Sequence, residues 1–259
     1  MIPHTEPVDD YTSPARLAEQ YSDATKLKIR QETHRLYTER RISFLEWVTE
    51  RLDIRPGMTV VDVGCGRGIY HPLFKRRGAR VIGVDRSLGM LEESPDGCLG
   101  VVGDAQALPL PDAICDRAAC NHVLYHVPDQ PLAMKELRRI VRQGGRVVMA
   151  TNGARNNERM YEVARLAAAD LGRTEMFPRS SPFRLEDAER VRAVFPNVRV
   201  QIFENAFRFP EAEPALRYWR SMRDDPELEA AMRPRIDEII RVEGSFRVPL
   251  VAGCFVAET

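Results

Sequence analysis

The sequence predicts an α/β fold with an open sheet of buried strands. Residues 58–63 form a mostly apolar run with one aspartate, which is typical of a strand buried on both faces. Three glycines follow at every second position, Gly64, Gly66 and Gly68, and a short helix is predicted over residues 69–77. A strand, a glycine turn and a helix in this order form a nucleotide site at the carboxyl end of the first strand of such a sheet.

The spacing of the glycines separates two kinds of nucleotide site. The dinucleotide fingerprint G-x-G-x-x-G would place its third glycine at position 69, where this chain has Ile69. The chain follows G-x-G-x-G instead. The next apolar run, residues 80–85, ends in Asp85, whose carboxylate can accept hydrogen bonds from both hydroxyls of an adenosine ribose.

Later segments continue the alternation of strands and helices. Three further strands are predicted over residues 99–105, 113–121 and 146–152. An amphipathic helix is predicted over residues 129–141. Residues 103–109 carry the pattern G-D-A-x-x-L-P, and residues 137–147 carry L-R-R-x-x-x-x-G-G-R-V. A sixth strand is predicted over residues 198–203 and a closing strand over residues 247–257.

Over residues 56–152 these motifs resemble the class I S-adenosylmethionine (SAM)-dependent methyltransferases, nearest to the small-molecule branch often called type 11. The resemblance implies a Rossmann-like sheet of seven strands, mostly parallel, with an antiparallel last strand. It also implies four regions: an N-terminal helical flap (1–55), a SAM-binding core (56–206), a helical cap insertion (207–246) and the closing strand of the core (247–259).

The resemblance implies a set of cofactor-binding residues. They are Tyr21, Arg30, Asp62, Gly64, Cys65, Gly66, Gly68, Asp85, Arg86, Asp104, Ala105 and Asn121. In the family, Asp62 would bridge toward the methionine amino group, and Asp104 with the Ala105 amide would recognise the adenine edge. Tyr21 or Arg30 would meet the methionine carboxylate; the alternative is a half-buried tyrosine and a surface arginine.

Two of these residues follow predicted strands. Asn121 ends the fourth strand and is expected to touch the methionine part of the cofactor. Arg86 follows Asp85, and its stem and guanidinium plane are expected to cover a face of the adenine.

Two histidines lie where the fourth strand meets the substrate side of the sheet. The unperturbed pKa of histidine, about 6.5, suits a general base at neutral pH. His122 and His126 are therefore the candidate catalytic residues. A structural role, in which His126 holds its loop together, is the alternative.

Composition limits the possible partners. The 259 residues carry 38 Lys plus Arg and 38 Asp plus Glu, so a net charge of zero gives no support for nucleic-acid binding. No apolar run approaches the ~18 residues of a membrane span, and residues 1–6 lack the features of a signal peptide. The five cysteines form no C-x-x-C pair, which predicts free thiols and no zinc site. We expect a cytoplasmic monomer or homodimer that binds neither a metal ion, nucleic acid nor a membrane.

These observations predict a SAM-dependent methyltransferase that acts on a small organic acceptor and releases S-adenosylhomocysteine (SAH). Methylation of a hydroxyl oxygen is favoured, and carbon or nitrogen acceptors stay open. Two other classes are the alternatives: a SAM-binding protein without turnover, and an NAD(P)-dependent oxidoreductase, against which Ile69 and the G-D-A pattern argue.

Overall fold

The computed structural model describes residues 24–94, 98–174 and 182–259. In these residues the strands are β1 (Thr59–Val63), β2 (Arg80–Asp85), β3 (Leu99–Val102), β4 (Cys115–Ala119), β5 (Val141–Asn152), β6 (Val198–Phe209) and β7 (Phe246–Glu258). They form one sheet in the order β3-β2-β1-β4-β5-β7-β6. The first five strands pair in parallel, and β7 is antiparallel to β5. The predicted α/β fold, with seven strands and an antiparallel last strand, is confirmed.

The described helices lie between and after these strands. They are α1 (Ala24–Tyr37), α2 (Phe44–Arg51), α3 (His71–Arg76), α4 (Leu88–Glu92), α5 (Gln130–Ile140), α6 (Glu158–Asp170), α7 (Ala188–Arg192), α8 (Ala212–Arg220) and α9 (Pro226–Glu243). Short 3₁₀ turns occupy Leu124–His126 and Leu185–Asp187. None of these described helices combines the length and apolar character needed to cross a membrane.

Two strands are longer than predicted. β5 begins at Val141, directly after α5, whereas the sequence predicts a strand that begins at residue 146; Val141 already pairs with Cys115 of β4. β6 continues to Phe209 instead of ending near residue 203, so residues 207–209 are strand and not part of a helical insertion. The side chains of Phe207 and Phe209 are fully buried, and this burial keeps the strand in place.

The chain divides into two compact units. The core unit contains residues 42–153, 182–203 and 252–259. The helical unit contains, among described residues, 24–41, 154–174 and 204–251. β6 and β7 each run through both units.

The division follows from how particular helices pack, and the four regions expected from the sequence stay predictions. Residues 42–55 fall in the core unit, because Val48 of α2 and Leu52 pack in one buried cluster with Val60 of β1. Helix α6 falls in the helical unit, because its buried face, including Met160, packs in one cluster with residues of α8 and α9.

The parallel arrangement explains where polar residues collect. β1 lies between β2 and β4, and β3 lies beside β2. The carboxyl ends of parallel strands meet at one edge of a sheet, and ligands of open α/β sheets bind outside that edge. The segments after β1, β2, β3 and β4 therefore border one region of the core unit.

Candidate cofactor site

The glycine turn after β1 has an open backbone. The Gly64 and Cys65 amides donate to the Val84 carbonyl at 2.7 and 3.1 Å, which fastens the turn to the end of β2. Gly66 has a left-handed φ of +52°, and a Cβ built on it would meet no atom within 4 Å. At this position the main chain is accessible to a ligand, as glycine allows. A Cβ on Gly64 would instead clash with the side chain of Val123, so the segment after β4 lies against the turn.

Asp85 connects the glycine turn to the helix after β2. One carboxylate oxygen accepts from the Gly66 amide at 2.8 Å, and the other accepts from the Ser87 amide at 2.9 Å. Ser87 in turn caps α4, because its hydroxyl accepts from the Met90 amide at 3.3 Å. Each Asp85 oxygen keeps a further lone pair. The carboxylate is thus fixed in orientation and can still accept hydrogen bonds from a ligand.

Asp104 and Arg86 follow neighbouring strands and lie near each other. One Asp104 oxygen accepts from the Gln106 amide at 2.9 Å, and the other lies 3.8 Å from Nε of Arg86. Ala105 is buried beside them. A Cβ on Gly103 would lie 2.6 Å from Cδ of Pro109. The proline of the G-D-A-x-x-L-P segment thus leaves room only for a glycine at the first position.

Asp62 is a carboxylate inside the sheet. It is 2% exposed, and its Oδ2 atom lies 3.3 Å from Nε2 of His71. The two atoms do not adopt hydrogen-bond geometry, and neither has another hydrogen-bond partner in the described part of the chain. Burial raises the pKa of Asp62, and His71 opposes that rise. The neighbouring Cys65 thiol also has a raised pKa because it is buried beside Asp62 and Asp85, so it is unreactive at neutral pH.

Asn121 presents a buried amide group without partners. Both its side-chain oxygen and its nitrogen are buried and make no hydrogen bond within residues 24–94, 98–174 and 182–259. An unpaired buried amide costs free energy, so a ligand that pairs with it would recover that cost. The backbone around it is fixed to β5, because the Cys120 amide donates to the Val148 carbonyl and the His122 amide to the Ala150 carbonyl, both at 2.9 Å.

The two candidate histidines sit in an aromatic segment next to Asn121. His122 has a φ of +60°, a left-handed conformation that is uncommon outside glycine and often marks functional sites. Its ring lies 5.6 Å from Phe44 and 6.3 Å from Tyr125, measured between ring centroids. Tyr125 in turn packs edge-on against His126 at 4.4 Å.

Two predicted residues lie outside the described residues of the core unit. Tyr21 lies outside the described residues. Arg30 belongs to the helical unit, where its Nη2 atom is buried without a partner among the described residues and its Nε contacts the Lys26 carbonyl at 3.4 Å. The other ten predicted cofactor residues and both histidines all lie in the core unit. Within the described ranges, no three His, Cys, Asp or Glu residues are grouped as metal ligands would be.

One residue of the site is not predicted by the sequence. The sequence assigns His71 only to a short helix, yet it is fully buried beside Asp62. The sequence does contain a signal: His71 lies just after the glycine turn, and the predicted strand before that turn contains one carboxylate, Asp62. Without the fold, however, nothing shows which face of that short helix is buried.

Comparisons with known proteins agree with the fold and the motifs. Residues 61–149 match the family model described as "Methyltransferase domain". The malonyl-[acyl-carrier protein] O-methyltransferase of Serratia marcescens is 34% identical over 102 residues, which cover 38% of this chain and 40% of that protein. The demethylmenaquinone methyltransferase of Corynebacterium kroppenstedtii is 36% identical over 101 residues, covering 39% of this chain and 44% of that protein. The chain thus spans less than half the length of these curated relatives.

A solved structure extends the comparison of the fold. The YcgJ protein of Bacillus subtilis superimposes with a TM-score of 0.60 at 18% identity, covering 83% of this chain and 97% of that protein. Residues 61–149 thus match a methyltransferase-domain model, and the fold of the chain is similar to that of the Bacillus protein.

Proposed function

We propose that this protein is a SAM-dependent methyltransferase that transfers a methyl group to a small organic acceptor. The observation that carries the proposal is the Asn121 amide, buried without a partner in the described chain, in the segment that lies against the glycine turn. A free donor and a free acceptor at this edge of the sheet suit a polar ligand that enters beside the turn. The matched methyltransferase domain supports SAM as that ligand.

The residues of the site fit the parts of SAM. Asp85 would bind the ribose hydroxyls, Asp104 and the Ala105 amide the adenine edge, and Arg86 an adenine face. Asn121 and Asp62 would bind the methionine part. Cys65 and the three glycines, Gly64, Gly66 and Gly68, would line the cofactor by backbone. For the methionine carboxylate, Arg30 and Tyr21 stay predictions from the resemblance.

The chemistry of this reaction requires alignment above all. When bound, SAM supplies a methyl group on a positively charged sulfur, already activated for in-line displacement. The chain's task is to hold donor and acceptor in line, and such orientation contributes about 7–11 kcal/mol to lowering a barrier. For a hydroxyl acceptor, His122 or His126 would remove the proton as general base. The Serratia relative is named an O-methyltransferase, which supports oxygen as the acceptor atom; carbon and nitrogen are the alternatives.

Calorimetric titration of the purified protein with SAM, SAH and NADH tests the proposal. We expect SAM and SAH to bind and NADH not to bind. An acceptor screen by mass spectrometry would then identify products that are heavier by one methyl group. Binding of NADH, or of none of the three ligands, would contradict the proposed cofactor. Binding of SAM with no methylated product from any acceptor would favour a SAM-binding protein without turnover.

A further inference from the structure

A row of three polar side chains leads from Asp62, near the carboxyl end of β1, to Ser94 in the segment after α4. His71 of α3 is completely buried. Its Nδ1 atom lies 3.1 Å from the Ser94 hydroxyl, and its Nε2 atom lies 3.3 Å from Oδ2 of Asp62. Nothing in the proposed function accounts for a buried histidine between a carboxylate and a hydroxyl.

The position of the His71 ring is built into the surrounding backbone. A Cβ on Gly68 would clash with Nδ1 of His71 and would lie 2.6 Å from the Ser94 hydroxyl oxygen. A Cβ on Gly83, on the neighbouring strand β2, would lie 2.9 Å from Cε1 of the same ring. Gly68 and Gly83 thus leave the space that the imidazole occupies, and a larger residue at either position would meet the ring. Gly68, the third glycine of the turn, therefore leaves space for the His71 ring and also allows the positive φ of the backbone.

The Ser94 contact can determine which nitrogen of the ring carries the proton. A hydroxyl that donates to Nδ1 leaves the proton on Nε2, which faces the Asp62 carboxylate. A histidine held in one tautomer can orient the group that it faces, as residues behind the direct ligands of metal sites do. At 3.3 Å the Nε2–H lies near Oδ2 without the geometry of a full hydrogen bond, so it acts on the carboxylate as a nearby dipole and Oδ2 keeps acceptor capacity for a ligand.

From this geometry we infer that His71, held by Ser94, is a positioning residue that orients the Asp62 carboxylate for the ammonium group of the cofactor's amino-acid part. The inference rests on the proposed function. It assigns His71 no contact with the reacting atoms. Its effect is confined to ligands that carry the ammonium group.

The charges around Asp62 explain why such help is needed. Asp85 on β2 faces it with a like charge, and burial also disfavours its ionised form. The other titratable groups that face it are Cys65 in the turn, Tyr70 at the start of α3 and Cys120 after β4. Burial raises the pKa of all three, so they stay neutral at pH 7 and give Asp62 no countercharge. His71 is the one neighbour among the described residues found to favour the carboxylate form.

The pH dependence has a definite sign. Asp62 binds an ammonium group as a carboxylate, so affinity is present above its pKa in the protein and is lost as the pH falls through that value. Removal of His71 removes the group that opposes the raised pKa of Asp62. The loss of affinity should therefore begin at a higher pH in a His71 variant than in the wild type.

Calorimetry with two ligands tests this inference on the full chain. SAH carries the amino-acid part, and 5′-methylthioadenosine lacks it. We expect His71→Leu to weaken SAH binding about tenfold or more at neutral pH, as loss of support for a charged group implies. Binding of 5′-methylthioadenosine should be unchanged. His71→Gln, whose amide N–H can still point at Asp62, should restore most of the SAH affinity.

Ser94→Ala provides a second variant that leaves the buried ring in place. It should weaken SAH binding by a smaller factor, again without an effect on 5′-methylthioadenosine. A series of titrations from mildly acidic to mildly basic pH should show the upward shift in His71→Leu. If His71→Leu prevents folding, seen as a lost far-ultraviolet circular dichroism spectrum, the His71→Gln and Ser94→Ala variants carry the same comparison.

The outcomes separate the inference from the function on which it rests. If the wild type binds neither ligand, the proposed function is wrong. If the wild type binds both and the variants weaken both equally, or leave SAH binding unchanged at every pH, the role of His71 is wrong while the cofactor assignment stands.

Discussion

At the scale of single residues, the site depends on side chains whose orientation is fixed before any ligand binds. Asp85 is held by the Gly66 and Ser87 amides, and Asp104 by Gln106. Asn121 differs, because its backbone is fixed while its amide has no partner among the described residues. Preorientation of this kind reduces the entropy lost on binding, and an unpaired amide gains most from the ligand.

Replacement of Asp85 tests the assignment to the ribose. Asp85→Ala removes two expected ribose hydrogen bonds, and it also frees the Gly66 amide. We expect SAH binding to weaken by about 1–3 kcal/mol in calorimetric titration. Asp237→Ala, which removes an exposed carboxylate in the helical unit, is the matched control and should bind as the wild type does. An affinity unchanged in Asp85→Ala would contradict the ribose assignment.

His122 allows backbone strain and chemistry to be tested separately. Its φ of +60° suits glycine, so His122→Gly should fold at least as stably as the wild type, whereas His122→Ala retains the strain. Both should keep SAH affinity, and both should lose methyl transfer to a hydroxyl acceptor by about 10²–10⁴-fold if His122 is the base. Turnover assays with His126→Ala in parallel would show which histidine acts. Full turnover in all three variants would exclude a histidine base.

At the scale of elements, helix α5 positions the loop that leads from Asp104 to β4. Glu136 accepts from the Leu108 amide at 2.8 Å and from Arg139 through two bonds of 2.7 Å. Arg139 also donates to the carbonyls of Leu108 and Leu110 at 3.0 and 2.8 Å. One pair of side chains on the helix thus fixes both ends of a short loop segment.

This pair predicts a pH-dependent stability. Bonds from Arg139 and the Leu108 amide lower the pKa of Glu136 below its usual value near 4.5. Its contribution is complete above that usual value and is lost as the pH falls through the lower pKa of the folded protein. Glu136→Gln should therefore lower the free energy of unfolding by about 1 kcal/mol at neutral pH. In urea titrations the difference from the wild type should disappear in acid; a constant difference would contradict this account.

The cap at the start of α9 leads to a prediction about stability in the helical unit. Asp225 caps this 18-residue helix by accepting from the Leu228 amide at 3.0 Å, and it pairs with Arg173 at 3.0 Å. Asp225→Ala should reduce the free energy of unfolding by about 1 kcal/mol. Asp237→Ala on the same helix makes the same charge change at an exposed position and should stay within about 0.5 kcal/mol of the wild type. Equal effects of the two variants would show that the cap contributes nothing beyond charge.

The elements also show what the sequence can and cannot predict. Local signals are sufficient for the glycine turn and the Ser87 cap, because both are determined by a few neighbouring residues. The resemblance supplies the antiparallel last strand, which no local pattern encodes. The length of β6 is not predicted because the burial of Phe207 and Phe209 is a tertiary effect. The position of His71 is not predicted for the same reason, since its contact with Asp62 joins a helix to a strand.

At the scale of the whole molecule, the two units share two strands. Residues 198–203 of β6 belong to the core unit and residues 204–209 to the helical unit, and β7 is divided in the same way after residue 251. Each strand is continuous through the division, so disorder in one half of a strand would also loosen the pairing of its other half. We therefore expect the units to unfold together, although multi-unit chains often do not.

The two tryptophans of the chain provide one reporter for each unit. Trp47 packs against Phe203 and under Arg51 in the core unit, and Trp219 is buried in the helical unit. In Trp47→Phe and Trp219→Phe, the fluorescence of the remaining tryptophan should follow the same urea transition as circular dichroism. SAH at about 100 times its dissociation constant should stabilise both transitions by about 2.7 kcal/mol, although the proposed site residues lie mainly in the core unit. A shift seen by Trp47 alone would show that the units unfold independently, and that the shared strands do not couple them.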